Sequence, residues 1–290
     1  MSATVLHRYH RAVLNQVDTV RAGVDWISCT LGSEAPMRWE WANECTEVLI
    51  EISKKGHKIG DWGINGYRGV LAGGSFVGNR EDSTYCQLSG HYASDYLDRI
   101  MRHDLHISRL DLAVTVQFRT MPKRLGALAF AMAQEADRDI SPSRRRKIWY
   151  MSGSDGGYTL YIGAPTSDQR GRLYNKEVQS GTPEYARSWR YETVYRNDRA
   201  MAVFKVLFEA QQSDREGICG DLVEVWYKSR GVHCPWTTAT NIIILPQIAE
   251  NPSDATKKLK WLGKQVRPAL DWLIENGYRK EALQELGIGE

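Results

Sequence analysis

Three short segments each set ionisable side chains into an otherwise apolar run: Arg109-Leu-Asp-Leu-Ala-Val114, Arg170-Gly-Arg-Leu-Tyr-Asn-Lys-Glu177 and Trp189-Arg-Tyr-Glu-Thr-Val-Tyr-Arg196. A tyrosine, two acids and a set of arginines are what metal-assisted cutting of a DNA strand requires. A phenol ionises near pH 10 and is a weak nucleophile at neutral pH, so such a site must stabilise developing phenolate and phosphorane charge. Read one at a time, the same residues have plainer roles. A strand tyrosine such as Tyr174 is usually a packing residue, Asp111 beside Arg109 makes a simple ion pair, and Glu192 between Arg190 and Arg196 invites the same reading.

The elements that would position them follow from period-two alternation, which sends successive strand side chains to opposite faces of a sheet. From Arg109, one face carries Arg109, Asp111, Ala113 and Thr115, and the other carries Leu110, Leu112, Val114 and Val116, a core face. Arg190, Glu192, Val194 and Arg196 share a face opposite Trp189, Tyr191, Thr193 and Tyr195. An extended tyrosine segment aligns Arg170, Arg172, Tyr174 and Lys176. Three adjacent strands with these faces turned the same way would gather Asp111, Glu192, Tyr174 and several cations.

The three blocks in this order resemble the rolling-circle replication initiators of small plasmids and filamentous phages, the replication-initiation-factor or Rep trans family. The resemblance rests on Arg-Leu-Asp-Leu-Ala at 109 to 113, Tyr-Ile-Gly at 161 to 163 leading into Arg-Leu-Tyr-Asn-Lys at 172 to 176, and Trp-Arg-Tyr-Glu at 189 to 192. A weaker match begins at Val24-Asp-Trp-Ile-Ser-Cys-Thr30, so the likeness runs from about 24 to about 213. It implies a nicking endonuclease and strand transferase whose tyrosine, here Tyr174, becomes joined to a 5′ phosphate and leaves a 3′ hydroxyl as primer. Asp111 and Glu192 would hold Mg²⁺ or Mn²⁺, and Arg172 and Lys176 would stabilise phosphate charge. The sequence departs from plasmid members at Thr115 and Val194, where a second acid often stands. Mg²⁺ commonly keeps waters and uses one or two carboxylates plus substrate phosphate, so the remaining pair suffices in kind.

Composition bounds the rest. The 290 residues allow one large domain or two, and a formal net charge of +3 is too small for general polycation behaviour, so DNA contact must be local. The clearest basic cluster is Arg144, Arg145, Arg146 and Lys147, followed by Ile148-Trp-Tyr150. Cations beside aromatics suit phosphate contact and base stacking, and a solvated loop is an equal reading. Arg170 and Arg190 would add DNA contacts. Five cysteines, with no Cys-x-x-Cys pair and an odd count, argue against a disulfide framework or structural zinc and for a reducing cytoplasm. No Gly-x-x-x-x-Gly-Lys-Ser/Thr loop is present, so unwinding would need a host helicase. No signal peptide is visible, and Asn241-Ile-Ile-Ile-Leu-Pro246 is too short to span a bilayer.

The coarse pattern predicts strands near 24 to 31, 67 to 77 and 84 to 89, and a helix near 92 to 104 leading into the Asp111 strand. It continues with a helix over 121 to 136, a hairpin of 147 to 151 with 158 to 163, and a helix after Arg196. The glycine-rich run Gly60 to Gly78 reads as loops and strand bends, and a helix over 256 to 276 is expected to kink at Pro268. The likeness of Val24-Asp25 to Leu110-Asp111 hints at duplicated halves but is very short. Strand-then-helix order gives an α+β fold with central antiparallel sheets, flanking helices and a helical C-terminal portion. A break near 213 to 218, or else the Pro246 to Ser253 loop, divides a nicking domain over 1–215 from a packing or partner region over 216–290. The expected substrate is single-stranded or hairpin origin DNA, with a host helicase and a second copy of the chain as candidate partners. A non-catalytic DNA-binding replication regulator is the alternative, favoured by the missing second acids. A conjugative relaxase is disfavoured by the absence of a histidine-hydrophobe-histidine pair.

Overall fold

The structure, a computed structural model, describes residues 12–13, 15–35, 37–138, 140, 145–153, 157–236 and 267–278. Ten strands form one sheet: β1 (Val17–Gly32), β2 (Ile59–Ile64), β3 (Tyr67–Ala72), β4 (Ser75–Arg80), β5 (Ser83–Ser89), β6 (His106–Phe118), β7 (Ile148–Ser152), β8 (Tyr158–Ile162), β9 (Gln169–Asn175) and β10 (Ser188–Arg196). Their order across the sheet is β2-β3-β4-β5-β1-β6-β10-β9-β8-β7, with every neighbouring pair antiparallel. Among the described residues the α-helices are α1 (Arg38–Lys54), α2 (His91–Asp95), α3 (Leu97–Ile100), α4 (Leu125–Ala136), α5 (Lys176–Ser180), α6 (Asn197–Glu209), α7 (Arg215–Lys228) and α8 (Arg267–Glu275). The fold is α+β, as the sequence implies.

The order reads the same from both ends. One half runs strand β1, helix α1, then β2 to β5; the other runs strand β6, helix α4, then β7 to β10, and β1 and β6 meet at the seam. The duplicated halves hinted at by Val24-Asp25 and Leu110-Asp111 are therefore present as topology.

Alternation sorts the strands as expected. Leu110, Leu112, Val114 and Val116 of β6 are fully buried, as are Trp189, Tyr191 and Tyr195 of β10, and they join Ile27, Cys29 and Leu31 of β1 in the core. Helix α6 packs on β6 and β10, and α7 packs on β1, β6 and β10. The sheet's packing thus extends past residue 215, and the chain divides into two compact units, residues 1–245 and 246–290. Of the helix expected over 256 to 276, Arg267–Glu275 is described and residues 256–266 lie outside the described residues.

Several elements differ from expectation. The run expected as one strand over 67 to 77 is a hairpin, β3 and β4, turned at Gly73 and Gly74, both with positive φ. The glycine-rich segment before it contains strand β2, joined to β3 by an Asn65-Gly66 turn with positive φ at both residues, so it is more regular than loops and bends. The helix expected over 92 to 104 is two short helices, α2 and α3, separated at Tyr96. Helix α1 was not anticipated at all.

Helix α7 approaches the underside of β9 closely because Gly171 has no side chain. A Cβ there would stand 2.3 Å from the Trp226 ring. Gly171→Ala should therefore lower stability by about 1–3 kcal/mol through overpacking, read as a lower midpoint in urea unfolding. An unchanged midpoint would show that α7 does not seat against β9 in this way.

Candidate active site

The pairing register builds the polar face row by row. Asp111 of β6 pairs with Val194 of β10, which pairs with Arg170 of β9. In the next row Ala113 pairs with Glu192, Glu192 with Arg172, and Arg172 with Tyr161 of β8. In the third row Thr115 pairs with Arg190 and Arg190 with Tyr174. Side chains opposite one another on paired strands share a face, so β6, β10 and β9 bring together Asp111, Glu192, Tyr174, Arg170, Arg172 and Arg190 as their alternation implies.

Glu192 is the hub. Its carboxylate, 1 % exposed, accepts the Tyr174 hydroxyl on Oε1 and the Arg172 guanidinium on Oε2. Arg172 also lies 3.9 Å from Asp111 Oδ2, and Asp111 takes a two-pronged contact from Arg109 at 2.9 and 2.5 Å. The Arg109 guanidinium rests on the Trp26 ring, 4.5 Å from its centre. Beneath the sheet, the Tyr227 hydroxyl of α7 donates to the Glu192 backbone carbonyl at 3.1 Å, which fixes β10 at this residue.

Burial sets the electrostatics. It pushes the Glu192 carboxyl above its ordinary range, with Arg172 pulling the other way, and it raises Asp111 against the pull of Arg109 and Arg172. The Tyr174 phenol is driven far up by burial and then by the Glu192 charge. Burial disfavours the charge on Arg172, but Glu192, Tyr174 and Asp111 together outweigh it and raise its pKa. Lys176 is lowered by burial and by Arg190. In the free protein the site therefore holds a neutral phenol hydrogen-bonded to Glu192.

Lys176 departs from its expected place. Strand β9 ends at Asn175, whose side-chain oxygen caps α5 by accepting from the Val178 amide at 3.2 Å, so Lys176 opens a helix instead of continuing the strand. Its ammonium still lies over the Tyr174 ring, 5.9 Å from the centre, and donates to Gln179 at 2.7 Å.

A third acid, Asp25, was not among the expected site residues. A bulge in β1 between Val24 and Trp26 inserts Asp25, and its Oδ1 accepts from Arg190 at 2.7 Å while Arg190 also donates to Thr115 at 2.9 Å. Thr115, one of the positions where a second acid often stands, thus serves as a hydroxyl partner to a cation whose acid comes from β1.

The basic cluster is less unified than its sequence implies. Arg144 lies outside the described residues. Arg146 is ion-paired with Asp137 at the end of α4, and Arg145 donates to the backbone carbonyls of Ile140 and Arg138 at 2.9 and 3.0 Å. Lys147 is exposed.

The donor set suits a hard divalent cation in kind, two carboxylates on one face beside a phenol. Arg172 now occupies the space between them, and among the described residues no group of three or more His, Cys, Asp or Glu is gathered to hold a metal. Nε of Arg170 and of Arg172 are buried and find no partner among the described residues, which suits an incoming anion. A cavity lined by Asp25, Tyr161, Arg172, Tyr174, Arg190 and Glu192, among others, opens above this cluster.

The family model for replication initiation factors matches residues 105–286. A solved structure of a rolling circle replication initiator protein from Geobacillus stearothermophilus is similar in fold, with a TM-score of 0.52 and 20% sequence identity, covering 84% of this chain and 96% of that one. No curated protein matches.

The raised phenol pKa gives a titration test. Below about pH 10 an ordinary tyrosine is neutral in folded and unfolded chains alike; above it the unfolded chain ionises while folded Tyr174 resists, so the residue withdraws stability as pH climbs. Ultraviolet difference spectra of wild type and Tyr174→Phe should show the same tyrosinate step up to the onset of alkaline unfolding. A step near pH 10 missing from the variant alone would mean the phenol is not held in this way.

Proposed function

Because the chain belongs to the replication initiation factor family, we propose that it starts rolling-circle replication by nicking one strand of single-stranded or extruded hairpin origin DNA with Tyr174. The observation that carries this reading is the Tyr174 hydroxyl donating to the buried Glu192 carboxylate on the ionic face of β6, β10 and β9. The phenol oxygen attacks the phosphorus, the bond to the 3′ oxygen breaks, and that oxygen leaves as the free 3′ hydroxyl that primes synthesis. The phenol proton passes to Glu192, the carboxylate its hydroxyl already touches, and the departing 3′ oxygen takes up a proton from water. Arg172, once its carboxylate partners are shared with substrate, and Lys176 above the phenol ring offset the charge gathering on phosphate and phenolate. Arg170 and Arg190 hold the flanking backbone, with Asp25 and Thr115 fixing the direction of Arg190.

Asp111 and Glu192 are the residues that would hold Mg²⁺ or Mn²⁺, completed by phosphate oxygens and water. When bound, the ion supplies Lewis-acid polarisation of the scissile phosphate. One phosphodiester is exchanged for one phosphotyrosine, so no nucleotide hydrolysis is needed, and strand separation falls to a host helicase. No helix among the described residues is long and apolar enough to cross a membrane, and the reading puts the protein with its DNA in the cytoplasm.

Two observations favour the regulator instead: both acids are already engaged by arginines, and Tyr174 is only 8% exposed. A regulator binds DNA equally with a chelator present and never cuts it. With hairpins carrying the replicon's origin and Mn²⁺, the wild type should form a covalent protein–DNA adduct, and chelator should stop it. Tyr174→Phe should form none while still binding the hairpin, and Glu192→Gln should slow adduct formation by about 100-fold or more. Adduct formation by Tyr174→Phe at the wild-type rate would end this reading.

A further inference from the structure

The hairpin of β7 and β8 carries aromatic rings on both of its faces, and only one set has a packing role. Tyr150 stacks on Phe130 of α4 with ring centres 5.6 Å apart, and on Tyr158 at 5.8 Å, so these rings seat the hairpin on α4. On the opposite face Trp149 and Tyr161 are directly paired across the strands and stack at 5.2 Å with planes 19° apart. Both are half-buried, and that face is the ionic one: Tyr161 pairs with Arg172 and lines the cavity that holds Tyr174 and Glu192.

Strand spacing of about 4.8 Å puts Tyr161 one strand and Trp149 two strands from the tyrosine's own strand, so the pair lies within reach of the nucleotides flanking an attacked phosphate. The charge around it is the right sign. Arg172 pairs with Tyr161, and Lys147, exposed and two residues before Trp149, falls on the same face by alternation. The aromatic on the other flank, Trp26, is already covered by Arg109. Flat rings beside cations, with no helix of the described residues packed on that face, suit the faces of unpaired bases, which stack on aromatics whatever their sequence.

We propose that Trp149 and Tyr161 form a stacking platform for bases of the single-stranded DNA next to the cut, so that the strand is held by its bases on β7 and β8 while its phosphate meets Tyr174. The proposal rests on the nicking reading for its substrate, single-stranded DNA, but not on cleavage. Its test separates base contacts from phosphate contacts in protein that carries Tyr174→Phe and so cannot be consumed by nicking. Two labelled probes of about twelve nucleotides are compared by fluorescence anisotropy: an oligothymidylate and a strand of the same length made of abasic residues. Adding Trp149→Ala and Tyr161→Ala should weaken oligothymidylate binding about tenfold and leave the abasic strand unchanged, while Trp149→Phe with Tyr161→Phe should keep most of the affinity. Equal losses on both probes, or no loss on either, would overturn the platform. A check without the alanine changes is photocrosslinking of a 5-iododeoxyuridine strand: crosslinks are expected at Trp149 or Tyr161, and crosslinks confined to other residues would overturn it. Failure of the nicking reading would appear as an absent covalent adduct and would leave these binding results standing.

Discussion

A buried carboxylate at the centre of a sheet is expensive unless its charge is met, and Glu192 is met on both oxygens, by a phenol and by a guanidinium. The surrounding polar face follows from that constraint. Arg172 must stand beside Glu192, and it reaches toward Asp111, which Arg109 holds in turn; Arg190, in the next row, is held by Asp25 and Thr115. Arg170 on the same face and Lys176 over the Tyr174 ring bring the cations to five against three acids, and two buried guanidinium nitrogens have no partner among the described residues. The face is thus charged for an anion that the protein does not itself provide, as phosphate backbone binding requires.

The seam between the two halves explains where this face can exist. Strands β1 and β6 lie at the middle of the sheet, so each half can lend residues to a site on the other. The second half supplies tyrosine, glutamate and most of the arginines, and the first half supplies Asp25 and Trp26 from the bulge in β1. Helix α7 closes the opposite side, where Gly171 lets Trp226 sit against β9 and Tyr227 ties down the backbone of Glu192. A chemical group above the sheet is therefore positioned by packing below it.

How much of this was legible varies with the physics of each element. Strands β6, β9 and β10 alternate cleanly, so the faces carrying Asp111, Tyr174 and Glu192 could be read from spacing, and pairing only had to supply their adjacency. Helix α1 is legible in the same way, since Trp41, Cys45, Val48, Leu49 and Ile52 recur at helical spacing and are all buried. Asp25 is a different case. Simple alternation cannot turn both Asp25 and Trp26 toward one face between the buried Val24 and Ile27; a bulge does so, and its place depends on pairing with β6. Lys176 leaves the strand because Asn175 caps a helix, a signal present in the sequence that the period of two running through Tyr174 masks. Arg146 reads as a free cation in sequence because its partner, Asp137, sits nine residues earlier, a separation that neither strand nor helical spacing brings together.

The central claim is that one phenolic oxygen, that of Tyr174, is joined to DNA. The most direct measurement is mass-spectrometric identification of the residue carrying the nucleotide after the protein is incubated with Mn²⁺ and a library of single-stranded hairpins, then digested. The expected result is a nucleotide on the peptide containing Leu173-Tyr174-Asn175. A nucleotide on any other residue, or a nicked strand with none attached to the protein, would contradict it.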